Sequence, residues 1–500
     1  MKVVFILWLQ LAHVTLAANI LFLNTWNSKS HGLTMKPLAE RLVERGNNVT
    51  IYTMLHKSIG PLGKGVNTLE TVLRPDQPTR DQQTVDTLFW NFEMKPEIFE
   101  APHKISYDYM MYSLEDETFQ KVMDTRWDVV ILDELFAVAQ GAMALALREK
   151  YGTKLATFAT TDFSNQYSVY RGFSRNPIIT PDYYTKGYNM MSFDVTNFFI
   201  RLASIRDLIY EQYYIVIACN RWLKKAGEVL NVYNSYDTIF EASHASLTDF
   251  PSGYGYPSPI GTDLIHVGEY CQESKELPPD LKSFVEDPTS KGTIYIAFGS
   301  LVNWNAAKPE IISTFFDALN IFSDYRIIFS YAGPEVKNKK PHVKLLRWAP
   351  QNDILAHNKT VLFFTHGGLK SIKEGICSNT PMLFLPFFAD QPRNALFARR
   401  LGIADVIYKM NITREELSSK INRVLTDTSF AVNTEKLHRQ FLDHVMDPLD
   451  YGSRWIDRVG KIQDEQCVYY KNRGRLLSWI SYLYIDFLVV VVVLMLSILT

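Results

Sequence analysis

A histidine and two glycines follow an apolar run in the segment TVLFFTHGGLKSIKE, which covers residues 360–374. The run before His366 predicts a buried strand, and the residues after Gly368 predict the first turns of a helix. The first amide groups of a helix have no partners within it and carry partial positive charge, and glycines let a ligand approach the backbone closely. The segment therefore fits either a simple tight turn or a site for an anion such as a diphosphate.

The same segment lies within a longer stretch that resembles a known signature. Trp348-Ala349-Pro350-Gln351 is followed by NDILAHNKTVLFFTHGGLKSIKEGICSNTPMLFLPFFADQ. In order and spacing, residues 348–391 resemble the nucleotide-binding signature of UDP-glycosyltransferases, in the membrane-anchored, UDP-glucuronosyltransferase-like branch with the two-domain GT-B fold. The resemblance extends to the N-terminal apolar segment, GTIYIAFGS, a proline-rich stretch and the C-terminal apolar segment, and so covers most of the chain.

The resemblance implies a UDP-sugar site in which each residue type suits one group of the donor. An indole can stack on uracil, which is worth about 1–3 kcal/mol per base, and a carboxylate can accept hydrogen bonds from both ribose hydroxyls. The residues that match the family are Trp348 for uracil, Gln351 for the nucleoside, Glu374 for the ribose, His366, Gly368 and Ser371 for the diphosphate, Asp390 and Gln391 for the sugar, and Ser300 near the phosphates or the acceptor.

Each of these residues also has an ordinary structural interpretation. A single tryptophan usually belongs to a core, and a Gly-Gly pair is usually only a turn. It is the joint spacing that favours a nucleotide site. The sequence departs from the family at Lys370, where a small polar residue such as asparagine is common. A lysine there either reinforces diphosphate binding or crowds the sugar, and the sequence leaves this open.

The first half of the chain is expected to supply the catalytic base. His31, in NSKSHGLTMKP, and Asp133, in DVVILDELF, match the family's catalytic histidine and its partner aspartate. The resemblance implies that His31 takes the acceptor proton as the acceptor oxygen attacks the anomeric carbon, while UDP leaves from the opposite face and the configuration inverts. Asp133 would orient the imidazole. Taken without the resemblance, the residue types favour a structural interpretation: His31 in a solvated loop and Asp133 in a strand-end turn.

No cofactor and no metal are expected. The resemblance implies that His366 and helix amide groups meet the charge of the leaving UDP. The apolar strand ending in Asp-x-Asp, used by glycosyltransferases of the other major fold, is absent from the sequence. The expected co-substrate is UDP-glucuronate or UDP-glucose, because both sugars present similar hydroxyls to Asp390 and Gln391. The sequence decides neither the sugar nor the identity of the small lipophilic acceptor.

Alternating strands and helices must position these residues. A helix is predicted over Leu33 to Arg45, and apolar runs predict strands in both halves: NILFLNT, VTIYT, WDVVILDELF and KLATFATT, then GTIYIAFGS, YRIIFSYAG, VKLLRWAP, TVLFFTHGG, TPMLFLPFF and ADVIY. Continuous apolar runs are typical of parallel strands covered on both faces. The sequence therefore predicts an α/β protein with two facing, Rossmann-like, doubly wound domains, in which ligands bind beyond the carboxyl ends of the strands.

The predicted organisation has six parts. They are a signal peptide (1–17), an N-terminal acceptor-binding domain (18–250), a proline-rich linker (251–290), a C-terminal UDP-sugar-binding domain (291–440), a helical return segment (441–475) and a transmembrane anchor (476–500). The aromatic and apolar region 162–240 is expected to form the acceptor pocket, because such pockets are mostly apolar.

Both ends of the chain predict membrane targeting. A charged start, an apolar stretch and small residues near Ala17 are typical of a secretory signal peptide. The segment 476–500 is long enough for a span of about 20 residues, with a buried core helix as the alternative. Basic residues at 471–475 oppose a lumenal body, but large domains translocate largely regardless of charge. We expect a single-pass protein of the endoplasmic reticulum membrane with a lumenal body, and the glycosylation candidates are Asn48, Asn358 and Asn411.

Composition limits the remaining function classes. The 52 basic and 53 acidic residues nearly cancel, so nucleic acid is not an expected partner, whereas a homo-oligomer is compatible with the sequence. Four cysteines lack metal-ligand spacing and allow at most two disulfides, with undecided pairing: Cys219, Cys271, Cys377 and Cys467. The alternatives to an enzyme are a non-catalytic UDP-sugar-binding membrane glycoprotein, which has no need of His31 with Asp133, and a structural membrane glycoprotein, which has no need of a complete nucleotide site.

Overall fold

The chain forms two parallel sheets, one in each half. The computed structural model describes residues 17–24, 29–74, 89–90, 100–161, 170–171, 194, 196–255, 260–299, 301–463, 471–482 and 484–499. Every strand pairing within them is parallel. The prediction of two doubly wound α/β domains is therefore confirmed. Ser300, Cys467 and nearly all of the predicted signal peptide lie outside the described residues.

The N-terminal sheet has the strand order β3-β2-β1-β4-β5-β6-β7. Its strands are β1 Asn19–Asn24, β2 Asn48–Leu55, β3 Asn67–Val72, β4 Val129–Asp133, β5 Lys154–Ala159, β6 Ser243–Thr248 and β7 Leu264–His266. The central strands β1 and β4 have continuous apolar interiors because helices cover both faces of the sheet, and β4 is buried at every position. The chain reverses its direction of travel across the sheet between β1 and β4, which pair directly, so the topological switch point lies there.

Seven helices described in the first half surround this sheet. They are α1 Lys29–Glu44, α2 Glu100–Ser113, α3 Glu117–Asp124, α4 Ala139–Tyr151, α5 Phe198–Tyr213, α6 Asn220–Val229 and α7 Tyr236–Ala242, with a π-helical turn at Tyr214–Cys219. Helix α1 begins four residues before the predicted start at Leu33, so His31 lies in its first turn. Helix α5 presents Phe198, Phe199 and Ile209 to solvent. Because most of 162–195 lies outside the described residues, the acceptor pocket stays a prediction.

The C-terminal sheet has the strand order β10-β9-β8-β11-β12-β13. Its strands are β8 Thr293–Ala297, β9 Arg326–Ser330, β10 Val343–Leu346, β11 Thr360–Thr365, β12 Met382–Phe384 and β13 Ala404–Val406. The helices of this half are α8 Pro279–Val285, α9 Pro309–Leu319, α10 Gln351–Ala356, α11 Leu369–Cys377, α12 Gln391–Arg400, α13 Arg414–Thr426 and α14 Ser429–Leu442. The switch point lies between β8 and β11, which pair directly.

The segment predicted as a linker, 251–290, differs from expectation because it contains strand β7 and helix α8. Strand β7 pairs with β6, so the N-terminal sheet continues into this segment. Its three residues, Leu264–His266, stand among prolines and glycines and are too few to show a strand pattern in the sequence.

The chain returns to the N-terminal domain after α14. Helix α15, Pro448–Val459, packs against α1, and two ion pairs join them: Arg41 to Asp450 at 2.6 Å, and Arg45 to Asp457. Both arginines are partly exposed, and such pairs are worth about 0–1 kcal/mol each. The apolar face of α15, which includes the fully buried Ile456 and Val459, therefore provides most of the attachment.

The C-terminal apolar segment contains a short and a longer helix, α16 Trp479–Tyr482 and α17 Ile485–Leu499. Tyr484 has a left-handed backbone (φ 57°), which separates the two helices. At 1.5 Å per residue, the 15 residues of α17 rise about 22 Å, against about 30 Å of bilayer hydrocarbon. Within the described part of the chain, none of the helices has the length and apolar character that a membrane crossing requires.

Two other sequence features are now located. Cys271 and Cys377 form a disulfide, and Cys219 is a buried free thiol. Of the predicted glycosylation sites, Asn48 and Asn358 are exposed, and the side chain of Asn411 lies outside the described residues.

Candidate active site

The structure brings His31 and Asp133 together at the switch point of the N-terminal sheet. Asp133 is the last residue of β4 and is fully buried, and His31, 8 % exposed, follows β1 in the first turn of α1. Their side chains form a hydrogen bond of 2.5 Å between His31 Nδ1 and Asp133 Oδ2. Because β1 and β4 are neighbouring parallel strands, their carboxyl ends place both residues at one edge of the sheet.

Thr160, which follows the next strand β5, completes this group. Its hydroxyl lies 3.0 Å from Asp133 Oδ2, 3.1 Å from Oδ1 and 2.7 Å from His31 Nδ1. The amide of Leu135 donates to Asp133 Oδ1 at 3.0 Å. A carboxylate only accepts, so Nδ1–H and the threonine hydroxyl both donate to Asp133. The imidazole then carries its proton on Nδ1 and its lone pair on Nε2. This is the tautomer that a general base acting through Nε2 requires.

A second polar group lies at the switch point of the C-terminal sheet. Gly299 follows β8 and Gly367 follows β11, and both have a left-handed backbone (φ 73° and 84°). His366 packs between Gly299 and Gly368: a Cβ added at these glycines would lie 3.0 Å and 2.6 Å from His366 Nε2. Any larger residue at either position would therefore clash with the ring. The glycines are required by this packing as well as by the turn.

Burial lowers the pKa of His366 to about 4. The imidazole is therefore neutral at physiological pH and can offer a hydrogen bond to a phosphate but no charge. The N-terminus of α11 contributes partial positive charge at this edge; Gly368 precedes the first helical residue, and Ser371 lies buried in the first turn, which also carries Lys370.

Gln351 and Glu374 form a connected pair beside this edge. Gln351 opens α10, donates through Nε2 to Glu374 Oε2, and accepts a hydrogen bond of 3.1 Å from the Tyr295 hydroxyl. Burial raises the pKa of Glu374, while the charge of Lys370 and the bond from Gln351 oppose the rise. Trp348, just before α10, has 74 % of its surface exposed. That exposure rules out the core interpretation of this residue.

Asp390 and Gln391 lie at the start of α12 and are both buried. Gln391 Oε1 accepts from the backbone amides of Phe387 and Phe388 at 2.9 and 3.2 Å. Asp390 Oδ2 accepts from Asn394 Nδ2 at 2.9 Å, and the same nitrogen donates to the Gly367 carbonyl at 3.0 Å. Asn394, which the sequence did not indicate, therefore joins the α12 residues to the glycine turn after β11.

A cavity of about 140 Å³ lies beneath this group, between α10, α11 and residues 270–274. Lys370 and Glu374 line it, together with the Cys271–Cys377 disulfide. Ligand pockets usually measure about 300–1,000 Å³. This cavity is therefore too small to be the whole nucleotide site.

The two domains are in contact. Asp249, the residue after β6 at the carboxyl edge of the N-terminal sheet, contacts Lys373 of α11 at 2.6 Å. Trp90 from the first half donates to the Asn303 carbonyl at 2.9 Å and packs in the C-terminal core. The carboxyl edge of the N-terminal sheet and helix α11, which carries Glu374, are thus in contact through Asp249 and Lys373.

Comparison with known proteins decides the family. Residues 20–500 match the family described as "UDP-glucoronosyl and UDP-glucosyl transferase". The chain belongs to this family. It is a UDP-glycosyltransferase, an enzyme that transfers a sugar from a UDP-sugar to an acceptor.

Curated relatives and solved structures agree with this assignment. The chain is 24 % identical to human UDP-glucuronosyltransferase 2B7 over 96 % of this chain and 92 % of the relative. It is 27 % identical to a UDP-glucuronosyltransferase of Pleuronectes platessa over 65 % of this chain and 67 % of the relative. Among solved structures, the glycosyltransferase VinC in complex with dTDP aligns with a TM-score of 0.58 at 16 % identity, covering 88 % of this chain and 99 % of VinC. SnogD from Streptomyces nogalater aligns with a TM-score of 0.57 at 13 % identity, covering 89 % and 100 %. These likenesses confirm the GT-B fold.

Proposed function

We propose that this UDP-glycosyltransferase transfers glucuronic acid or glucose, with inversion and without a metal, to a hydroxyl of a small lipophilic acceptor. The observation that carries the proposal is the His31–Asp133–Thr160 group. A buried carboxylate that accepts from Nδ1 orients the imidazole, leaves a lone pair on Nε2 and stabilises the imidazolium formed when the acceptor proton is taken. A non-catalytic UDP-sugar-binding protein has no need for this arrangement.

On the donor side, Trp348 stacks on uracil and Glu374 accepts the ribose hydroxyls. The exposed indole and the partly buried carboxylate, held by Gln351, suit these two roles. The diphosphate lies at the N-terminus of α11 against Gly368, Ser371 and His366. Ser300, outside the described residues, is proposed near the phosphates or the acceptor.

Asp390 and the amide nitrogen of Gln391 bind the sugar hydroxyls. The Gln391 oxygen already accepts from two backbone amides, so its nitrogen is the group that can serve the sugar. The negative charge that develops on the leaving UDP is met by the α11 amides and the His366 N–H, an arrangement that acts as an oxyanion site without a cation.

We further propose that the protein is a single-pass glycoprotein of the endoplasmic reticulum membrane with its body in the lumen. The support is the signal-like N-terminal sequence, the Cys271–Cys377 disulfide, which suits an oxidising compartment, and the exposed surface of α17, which is apolar except at Asp486 and Ser497. Glycosidase digestion followed by gel mobility, with Asn358→Gln as the comparison, tests the lumenal placement, since an unglycosylated protein contradicts it.

The test of catalysis is His31→Ala. The variant is expected to bind UDP with the wild-type Kd, because His31 lies in the N-terminal domain, and to lose about 10²–10⁴-fold in kcat. Transfer is measured with UDP-glucuronate and UDP-glucose against a panel of phenols and steroids. His357→Ala is the control, because His357 follows the last residue of α10 and its Nε2 lies 3.4 Å from Glu286 Oε1, a residue without a proposed role in the site. Transfer by His31→Ala at the wild-type rate would show that another group is the base.

A further inference from the structure

The segment 249–271 contacts both helices that carry the donor residues. It leaves the N-terminal sheet after β6 and, in its described parts 249–255 and 260–271, packs against α11 and α12. Five side chains of the segment make these contacts: Asp249, Phe250, Tyr254, Tyr270 and Cys271. We refer to these contacts as the linker contacts.

The contact with α11 is a buried ion pair next to one aromatic ring. Lys373 is 5 % exposed, and its Nζ lies 2.6 Å from Asp249 Oδ1, which is also buried, and 4.0 Å from the centre of the Tyr270 ring. Burial raises the pKa of Asp249 to about 6, and Lys373 opposes that rise. One turn further along the helix, the disulfide joins Cys377 to Cys271. Helix α11 is therefore attached to the segment on both sides of Glu374.

The contact with α12 is a chain of hydrogen bonds that ends in the donor site. The Tyr254 hydroxyl donates to the Asn394 carbonyl at 2.7 Å in a buried position. The Asn394 side chain in turn donates to Asp390 and to the Gly367 carbonyl. The rings of Phe250 and Tyr254 pack edge-on against Phe397 of the same helix.

Stability alone does not explain this arrangement. A buried ion pair costs desolvation that its own attraction often fails to offset, and apolar side chains of similar volume would stabilise the contact at least as well. The ion pair and the hydrogen bonds add geometric specificity, because each of them forms only at one relative position of the segment and its helix. The helices so fixed carry the proposed ribose and sugar ligands, Glu374 and Asp390.

We infer that the linker contacts position the donor site, with Lys373 and Tyr254 as positioning residues that hold Glu374 and Asp390 from the N-terminal side of the cleft. The inference rests on the donor roles proposed above. Because Asp249 directly follows a strand of the N-terminal sheet, a movement of that domain reaches both donor helices through these contacts. Donor affinity is therefore coupled to the relation between the two domains.

The test compares Lys373→Met, Asp249→Asn and the double variant in the full-length, detergent-solubilised protein. Each single variant is expected to raise the Kd for UDP and the donor KM about tenfold, because a displaced α11 moves Glu374 and so weakens donor binding. The kcat should stay within about threefold of the wild-type value, because the catalytic base is intact. The double variant is expected to lose less than the two singles combined, since neither charge is left buried without a partner. The control is Lys420→Met, which removes a different lysine–aspartate pair of the C-terminal domain and leaves Arg423 on Asp405.

Tyr254→Phe is the milder variant in case the charge variants fold poorly. It removes only the hydroxyl that holds Asn394 and is expected to raise the donor KM about threefold. Tyr52→Phe, which removes a buried hydroxyl bonded to Thr71 in the N-terminal sheet, is the control and leaves KM unchanged. Unchanged donor KM in Tyr254→Phe and in the Lys373 and Asp249 variants overturns the inference. A wild-type protein that transfers no sugar overturns the proposed function instead.

Discussion

Replacing Asp133 by asparagine should convert His31 from a base into a group that cannot take a proton. The Leu135 amide donates to Oδ1 at 3.0 Å, so an asparagine must place its oxygen there and its NH₂ where Oδ2 lay, 2.5 Å from His31 Nδ1. His31 Nδ1 must then accept, and the ring proton moves to Nε2, the atom that faces the acceptor in the proposed mechanism. The whole contribution of general-base catalysis, about 10²–10⁴-fold, is lost.

The size of the effect follows from these contacts. We expect kcat of Asp133→Asn to fall about 10³-fold, equivalent to about 4 kcal/mol at 1.4 kcal/mol per tenfold. The Kd for UDP should not change, because Asp133 lies in the other domain. The assay is initial-rate product formation by chromatography, with UDP binding measured by calorimetry.

The matched control is Asp128→Asn. Asp128 precedes the same strand and accepts the Asn19 amide through Oδ2 at 2.8 Å, but it lies at the amino end of the sheet, away from the cleft. The Asp128→Asn variant should keep kcat within about twofold of the wild-type value. If Asp133→Asn retained kcat within tenfold of wild type while folding normally, the tautomer argument would be refuted.

Three further predictions follow from the site. Thr160→Val removes a hydroxyl that donates to the Asp133 carboxylate and should lower kcat about tenfold without changing the donor KM, since hydrogen bonds to charged groups are worth about 1.5–3 kcal/mol; an unchanged kcat would make Thr160 a packing residue. Trp348→Ala should raise the donor KM roughly 5- to 150-fold with little change in stability, because the exposed indole contributes stacking worth about 1–3 kcal/mol; a destabilised protein with normal KM would contradict this role. His366→Gln should flatten the acid side of the stability curve. The unfolded chain binds a proton at this histidine near pH 6.5, whereas the folded protein binds it only near pH 4. Between these pH values the unfolded state therefore holds more protons, and the free energy of unfolding of the wild type falls by up to about 3 kcal/mol as the pH is lowered. Urea unfolding of both proteins at pH 7 and pH 5 measures how much the free energy of unfolding changes with pH. An equal change in His366→Gln and in the wild type would contradict the prediction.

Much of the fold could be predicted because parallel strands have a strong sequence signature. The runs that became β1, β4, β8 and β11 are apolar without interruption, and the residues that end them stand at one edge by topology alone. That is why His31, Asp133 and His366 could be placed at sheet edges from the sequence. Strand β7 could not, because three residues among prolines carry too little pattern.

Other parts of the site depend on contacts between distant residues. Thr160 and Asp133 are 27 residues apart, and nothing in KLATFATT distinguishes Thr160 from its neighbour Thr161. Lys373 and Asp249 are 124 residues apart, and the pairing of Cys271 with Cys377 follows only from the way the segment after β6 folds back onto α11. These features arise from packing, which the local pattern does not encode.

The most direct test of the account is a crystal structure of the enzyme with UDP and an acceptor bound. We predict uracil stacked on Trp348, the ribose hydroxyls on Glu374, the diphosphate at the N-terminus of α11, and the acceptor hydroxyl about 3 Å from His31 Nε2, within hydrogen-bond reach. Nucleotide bound elsewhere, or an acceptor hydroxyl that His31 cannot reach directly or through one water, would contradict the central claim.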